Sequence, residues 1–155
     1  MRIHGGFHLL ATEPIPRGQW ILSLSGLLMP GPCRHSVQVG RGLHLEAPPG
    51  LSTDELLDQH PWRFLNHSCD PSARLQGRDL YARRRIQAWD EVTFDYDTTE
   101  FDMADPFACR CGSPRCRGWI RGFRHLDPAE RRRLRPRLAD HLREDLPDEP
   151  LADWA

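Results

Sequence analysis

Four consecutive residues, Asn66-His67-Ser68-Cys69, put an amide, an imidazole, a hydroxyl and a thiol on one short stretch of chain. Asp70-Pro71 follow, so the stretch reads as a fixed loop rather than the start of a long helix. Asn66 is the only Asn, and all 21 basic residues are Arg, with no Lys. A coding bias that thins out Asn and Lys makes this surviving amide a candidate for a specific hydrogen-bonding role. Further along, Cys109-Arg110-Cys111-Gly112-Ser113-Pro114-Arg115-Cys116 has the pattern C-x-C-x4-C. Three thiolates on a Gly/Pro loop can wrap one soft cation, and structural zinc takes a closed shell of four ligands. The fourth ligand has to come from elsewhere. Cys69 and Cys33 are the first candidates, with His67 and His125 behind them. Three reduced thiols without metal are the bland alternative. Between the two clusters, Val92 to Tyr96 alternates with a strand period that puts Val92, Phe94 and Tyr96 on one face and Thr93 and Asp95 on the other. Taken alone, a tyrosine on such a face is a core residue with its hydroxyl satisfied.

Short elements must position these groups. Leu9 to Ala11 and Gln19 to Leu24 read as opening strands on either side of the turn Pro14-Ile15-Pro16-Arg17-Gly18, with Trp20, Leu22 and Leu24 sharing a face. Met29-Pro30-Gly31-Pro32 ends that unit. Val37 to Val39 and Leu43 to Leu45 form a hairpin around Gly40-Arg41-Gly42. Ser52 caps a short helix, with Glu55 completing a capping box and Pro61 limiting its extent. Ala73 to Gln76 and Leu80 to Ala82 are strands around Gly77-Arg78, and Thr98 to Pro106 is a polar loop. Asp127-Pro128-Ala129-Glu130 starts a helix that runs to about Glu144 with a break near Pro136; its stripe of Leu134, Leu138 and Leu142 reads as core docking, with a partner groove as the alternative. An acidic tail follows from Asp145.

At 155 residues the chain is long enough for one domain with a moderate core, and 14 Pro and 12 Gly favour many turns over long helices. No apolar run approaches the ~20 residues needed to cross a bilayer, and the N-terminus has no apolar signal core. The expectation is an intracellular protein with reduced thiols, where clustered Cys indicate metal more than disulfides. The net charge of −1 hides a split. Residues 86–108 hold seven acids and no Arg, whereas residues 110–137 hold ten Arg against Asp127 and Glu130. The acids could form a lip that attracts a cationic substrate; the bland reading of both runs is a solvated face. Arg83-Arg84-Arg85 lacks the interleaved aromatics of single-strand binders and reads as an exposed strand end.

In order and spacing, these pieces resemble the SET-domain protein-lysine methyltransferases with a cysteine-rich post-SET segment, over about residues 3–123. Asn66-His67-Ser68-Cys69-Asp70-Pro71 is similar to the family's N-H-S-C-x-P loop. Glu91-Val92-Thr93-Phe94-Asp95-Tyr96 is similar to the strand ending in its active-site tyrosine, and Cys109-x-Cys111-x4-Cys116-Arg117-Gly118-Trp119 to the post-SET motif. Gly6-Phe7-His8-Leu9-Leu10-Ala11-Thr12 and Ile15-Pro16-Arg17-Gly18 are similar to its opening strands. The resemblance implies a mainly β fold with short helices: small curved sheets with a knot-like crossing, a zinc-bearing post-SET segment and a C-terminal helix. Residues 1–106 would form the SET domain, 107–123 the post-SET zinc segment, and 124–155 the C-terminal helix and acidic tail.

The resemblance also implies S-adenosylmethionine as methyl donor and one structural zinc held by Cys69, Cys109, Cys111 and Cys116, with Cys33 spare. It implies Tyr96 as the catalytic residue and Phe94 with Tyr96 as the substrate pocket, Phe tending to admit more than one methyl. Gly6, His8, Asn66, His67, Tyr96 and Trp119 would contact the cofactor. Two positions depart from the pattern: His8 replaces the second Gly of G-x-G, and Ser72 the Asn that commonly follows the loop. The region between the opening strands and the loop, which helps choose substrate in this family, is short. The expected activity is methyl transfer to the ε-amine of lysine in a basic protein such as a histone, histone-like or ribosomal protein. A catalytically weak or inactive peptide-binding scaffold is the alternative. A monomer without membrane or direct nucleic-acid binding is expected, and the Lys-free composition fits a GC-rich bacterial source and its cytoplasm.

Overall fold

The computed structural model describes residues 6–144; the acidic tail expected from Asp145 lies outside them. The first half contains β1 (Trp20–Ser23), β2 (Leu27–Met29), β3 (Val37–Gly40), β4 (Leu43–Glu46) and α1 (Thr53–Gln59). Then come β5 (Asn66–His67), β6 (Ala73–Gln76), β7 (Asp79–Ala82), β8 (Thr93–Phe94), β9 (Phe107–Ala108) and β10 (Trp119–Ile120), closed by α2 (Pro128–Leu134) and α3 (Asp140–Arg143). The strands form four small sheets: β1-β7-β6, β2-β4-β3, β5-β8 and β9-β10. All pairs are antiparallel except β5 with β8, where Asn66 lies beside Thr93 and His67 beside Phe94. The two motif stretches thus run side by side in the same direction. The intervening chain crosses between them through β6 and β7, which join at Gly77 (φ 62°).

Local chemistry accounts for the elements that hold. Ser52 and Glu55 form the expected capping box at the start of α1, and Asp127 caps α2 with Pro128 at its first position. Leu134, Leu138 and Leu142 are at most 3% exposed and pack with Phe123. The long helix expected to reach Glu144 is divided. Pro136 has no N–H to donate, so a 3-10 turn over Arg135–Arg137 separates α2 from α3.

Other expectations change. Leu9 to Ala11 is not a strand; only Leu10 bridges to Glu91. A register shift between Trp20 and Leu22 breaks the shared face of β1, leaving Trp20 53% exposed while Leu24 is buried. The apolar run Leu27–Met29 adds an edge strand to the hairpin. The strand expected to reach Tyr96 stops at Phe94, because the Asp95 carboxylate accepts the Asp97 N–H at 3.1 Å and caps a 3-10 turn over Tyr96–Thr98. Val92, Thr93, Phe94 and Asp95 are all buried, so alternation here does not separate core from solvent. Thr98, Thr99 and Glu100, read as the start of a polar loop, are buried as well. Their backbone and side chains turn back onto Asp95, Tyr96 and Phe123, and α3 packs over them, with Ala139 N–H donating to Thr98 O at 2.9 Å.

Candidate active site

A cleft of about 410 Å³ opens where the N-terminal segment, the chain after β2, the β5 stretch and the Tyr96 turn converge. Gly6, His8, Asn66, Phe94 and Tyr96 all line it. Five of the residues proposed from sequence are therefore brought together from three distant parts of the chain. Phe94 and Tyr96 meet at a tilt with ring centroids 4.8 Å apart, and Phe107 meets Tyr96 edge-on at 5.9 Å. Phe7 and Phe64 add an edge-to-face pair at 5.0 Å. Val92, expected in this wall, belongs instead to the main core. The sequence signal for the other aromatic residues was weak, because they come from three segments far apart in the chain.

Polar contacts fix the groups along the cleft wall. The Tyr96 hydroxyl donates to Leu65 O at 2.5 Å. Asn66 Nδ2 donates to Phe7 O at 3.0 Å and to Glu91 Oε1 at 2.7 Å. The same Glu91 oxygen lies 2.8 Å from His8 Nδ1. The imidazole that stands in place of glycine is thus held at the cleft wall by a carboxylate, and that carboxylate also orients the loop amide. Glu91 heads the motif that ends in Tyr96; its role was missed because a glutamate before a strand reads as surface. Ser72, the other departure, donates to Glu91 O at 2.9 Å, accepts from Thr93 N–H at 3.0 Å and ties the two motif strands together.

His67 and Trp119 do not join the cleft lining. The His67 ring is turned inward and is 5% exposed as a residue. Its Nδ1 accepts from the Tyr96 N–H at 3.1 Å, and Nε2 lies 3.3 Å from Cys69 Sγ. Trp119 is 52% exposed and lines a separate depression with Arg115, Arg121 and Arg133.

Behind Tyr96, the sulfurs of Cys69, Cys109, Cys111 and Cys116 lie within 4.8 Å of one another. Cys69 and Cys109 are 4.0 Å apart, close to the ~3.8 Å that four bonds of ~2.3 Å to a tetrahedral zinc require. Burial pushes the Cys69 and Cys109 thiols up, Cys109 to about 12. Burial also opposes ionisation of Cys111, but the Ser113 N–H and neighbouring donors bring it down to about 7. Four sulfurs this close can all ionise only around a cation, so the donor set fits one zinc ion. Cys33, the other candidate ligand, is exposed, donates to Glu46 Oε2 at 2.9 Å and is not one of the four grouped sulfurs. His125 is engaged with Asp102 at 2.8 Å.

Arg117 links this cluster to the tyrosine turn. Its backbone N–H points at Cys69 Sγ at 3.4 Å, while its guanidinium reaches Asp95 at 2.5 Å and Asp97 at 3.1 Å. Both carboxylates are 1% exposed at the side chain. The expected acidic lip is therefore only partial. Asp95, Asp97 and Glu100 are interior groups, Asp102 pairs with Arg124 and His125, and Asp105 pairs with Arg34.

Residues 6–97 match the model of the family described as SET domain. The chain belongs to the SET-domain family. It is 36% identical over 113 residues to the methyltransferase flvH of Aspergillus flavus, covering 69% of this chain and 57% of that protein. It is 36% identical over 88 residues to the histone-lysine N-methyltransferase ash1 of Drosophila melanogaster, covering 52% of this chain and 4% of that protein. An H3 lysine-36 specific histone-lysine N-methyltransferase of Yarrowia lipolytica is 30% identical over 141 residues, covering 81% and 18% of the two chains. The chain thus spans little more than half of the first relative and a small part of the others.

Among solved structures, the KRYPTONITE complex with mCHG DNA and SAH superposes with a TM-score of 0.51 at 21% identity, over 71% of this chain and 26% of that one. The methyltransferase domain of human SETMAR gives 0.50 at 16%, over 72% and 52%. Both share the SET fold of small sheets. The match to the SET model ends at Asp97, so Cys69 is contributed by the SET segment itself and the other three thiols by the chain that follows it.

Proposed function

We propose that this protein transfers a methyl group from S-adenosylmethionine to the ε-amine of lysine in a basic protein segment, histone-like, histone or ribosomal. The observation that supports this most directly is the meeting of the Tyr96 hydroxyl, the Phe94 ring and the Asn66 amide in one cleft. A volume of about 410 Å³ falls in the ~300–1,000 Å³ range of small-molecule sites. Its wall combines a carboxamide with aromatic rings, which suits a donor that has a polar end and a flat base. When bound, that donor supplies an electrophilic methyl group on a sulfonium.

The chain's own residues do the rest. Amine nitrogen, methyl carbon and sulfur must be collinear, and orientation of this kind can lower a barrier by up to ~7–11 kcal/mol. A lysine ammonium has no lone pair; the aromatic wall of Phe94, Tyr96 and Phe107 disfavours the charged amine and promotes loss of its proton. Tyr96 donates its own proton to Leu65 O, which leaves the phenol oxygen as an acceptor that can hold an amine N–H and aim the nitrogen lone pair. Glu91 keeps Asn66 and His8 in place at the cofactor end. The four thiols would hold zinc as a brace behind the tyrosine turn, a role that calls for an intracellular compartment that keeps thiols reduced.

The chain has no Lys, so its own side chains offer no ε-amine to methylate. The test is transfer of labelled methyl to fractionated host proteins, followed by mass-spectrometric mapping. Label on lysines of basic proteins is the expected result. Background-level label in every fraction, from folded and zinc-loaded protein, would leave a scaffold instead.

A further inference from the structure

The cleft is lined by six Arg, His, Asp and Glu residues, and five of them are accounted for. Arg34 pairs with Asp105 at 3.1 Å, Arg63 with Glu46 at 3.3 Å, and His8 with Glu91 at 2.8 Å. Burial and the nearby Arg63 charge both push the His35 pKa down, which disfavours a cation there. The remaining one is Glu100, only 6% exposed. One of its oxygens, Oε1, accepts from the Gln38 N–H at 2.7 Å and the Thr99 hydroxyl at 3.3 Å. The other, Oε2, has no partner among the described residues, and it is not among the buried atoms sealed away from solvent. A buried carboxylate is thus fixed by one oxygen and presents the other to the cleft with no cation against it.

We propose that Glu100 is the cation-recognition group of this cleft and selects substrates that carry a second, permanently charged nitrogen beside the amine to be methylated. This rests on the methyltransferase reading. The reacting nitrogen must be neutral, and a carboxylate against it would hold it as ammonium. Glu100 therefore serves a neighbouring guanidinium or ammonium. Burial pushes its pKa up to about 7, so the carboxylate gains from any cation that arrives. In the sequence Glu100 is one of seven acids between residues 86 and 108 that could attract a cation; nothing in Thr98-Thr99-Glu100-Phe101 singles it out from the other six.

The test uses the full chain, zinc-loaded, with two acetylated and amidated peptides: Ala-Arg-Lys-Arg-Ala and its counterpart with citrulline, an uncharged isostere, at both Arg positions. With labelled S-adenosylmethionine, kcat/KM is expected to favour the Arg peptide at least about tenfold, a factor equivalent to ~1.4 kcal/mol, with the difference in KM. Glu100→Gln keeps an acceptor for the Gln38 N–H and is expected to remove the preference; Asp105→Asn, whose carboxylate is engaged by Arg34, is expected to retain it. In parallel, binding of both peptides is followed by the Gln38 and Thr99 amide resonances of the wild-type protein, a comparison that does not depend on any variant folding. Charge-selective binding without methyl transfer would overturn the enzymatic reading and leave the role of Glu100 standing. Transfer with equal kcat/KM for both peptides, or a preference that survives Glu100→Gln, would overturn the role of Glu100 alone. Neither binding nor transfer would overturn both.

Discussion

The backbone N–H of Tyr96 donates to Nδ1 of His67 at 3.1 Å, and the other nitrogen of the same ring sits 3.3 Å from Cys69 Sγ. Because Nδ1 is an acceptor, the ring of the neutral imidazole carries its proton on Nε2, facing the sulfur. One buried side chain therefore connects the phenol-bearing turn to the thiol cluster.

Loss of the metal is expected to reach Tyr96 through this connection. Cys69→Ser should bind less than one zinc per chain by elemental analysis, and either the variant or chelation of the wild type should lower the thermal midpoint and abolish transfer together. Structural zinc contributes folding free energy directly. Full activity and an unchanged melting curve in metal-free protein would contradict the proposed brace.

Tyr96→Phe removes one hydroxyl and leaves the ring contacts with Phe94 and Phe107. The lost bond to Leu65 O should cost about 0.5–1.5 kcal/mol in urea unfolding. Methyl transfer should fall by roughly two orders of magnitude or more, as expected for a group that orients reacting atoms. A variant that loses no more activity than stability would place the tyrosine in the core and not in the chemistry.

Arg117→Met leaves Asp95 and Asp97 buried without their shared cation. Breaking a buried pair in this way typically costs ~3–5 kcal/mol, and the guanidinium here is 7% exposed. Urea denaturation of Arg117→Met, and of the same variant with Asp97→Asn, should show partial recovery in the double variant, because one of the two stranded charges is gone. Equal stability of the two variants would show that the carboxylates do not repel each other.

Stability should depend on pH in an unusual direction. Burial raises Asp97 to about 6, with Asp95 adding to the effect, and raises Glu100 to about 7, against ordinary values of 3.8 and 4.5. The folded chain holds these two protons more tightly than the unfolded chain. Their contribution is therefore full below pH 4, declines as pH rises through about 6 and 7, and is flat above. For Glu100 the loss is on the order of 3 kcal/mol. Urea unfolding at fixed zinc should give a lower free energy at pH 8 than at pH 5.5, with Glu100→Gln flattening much of the difference. A profile that rises with pH would reverse the assignment.

Much of the site could be read from residue order because its chemistry is carried by short, contiguous motifs. Asn66 to Pro71, Glu91 to Tyr96 and the three late cysteines each have a spacing that few other arrangements share. Capping and proline rules likewise located α1 and the break after Leu134. What stayed hidden depends on contacts between distant segments. Asp95, Asp97 and Glu100 looked like solvent-facing acids until α3 and Arg117 covered them. Phe7, Phe64 and Phe107 come from three distant segments, and neither the inward turn of His67 nor the separation of Trp119 from the cleft has any local signature.

The parallel pairing of Asn66-His67 with Thr93-Phe94 has a consequence for how the molecule is made. Two residues of strand on each side offer little contact to offset the entropy of closing the loop between them. The turn beyond them is held through Cys69 and Arg117, and the last of the clustered thiols belongs to Cys116. On the ribosome, a nascent chain that has not yet exposed Cys116 holds the phenol and the amide without the groups that fix them. Folding and catalytic competence should therefore arrive together and late, with metal capture as the step that commits the chain.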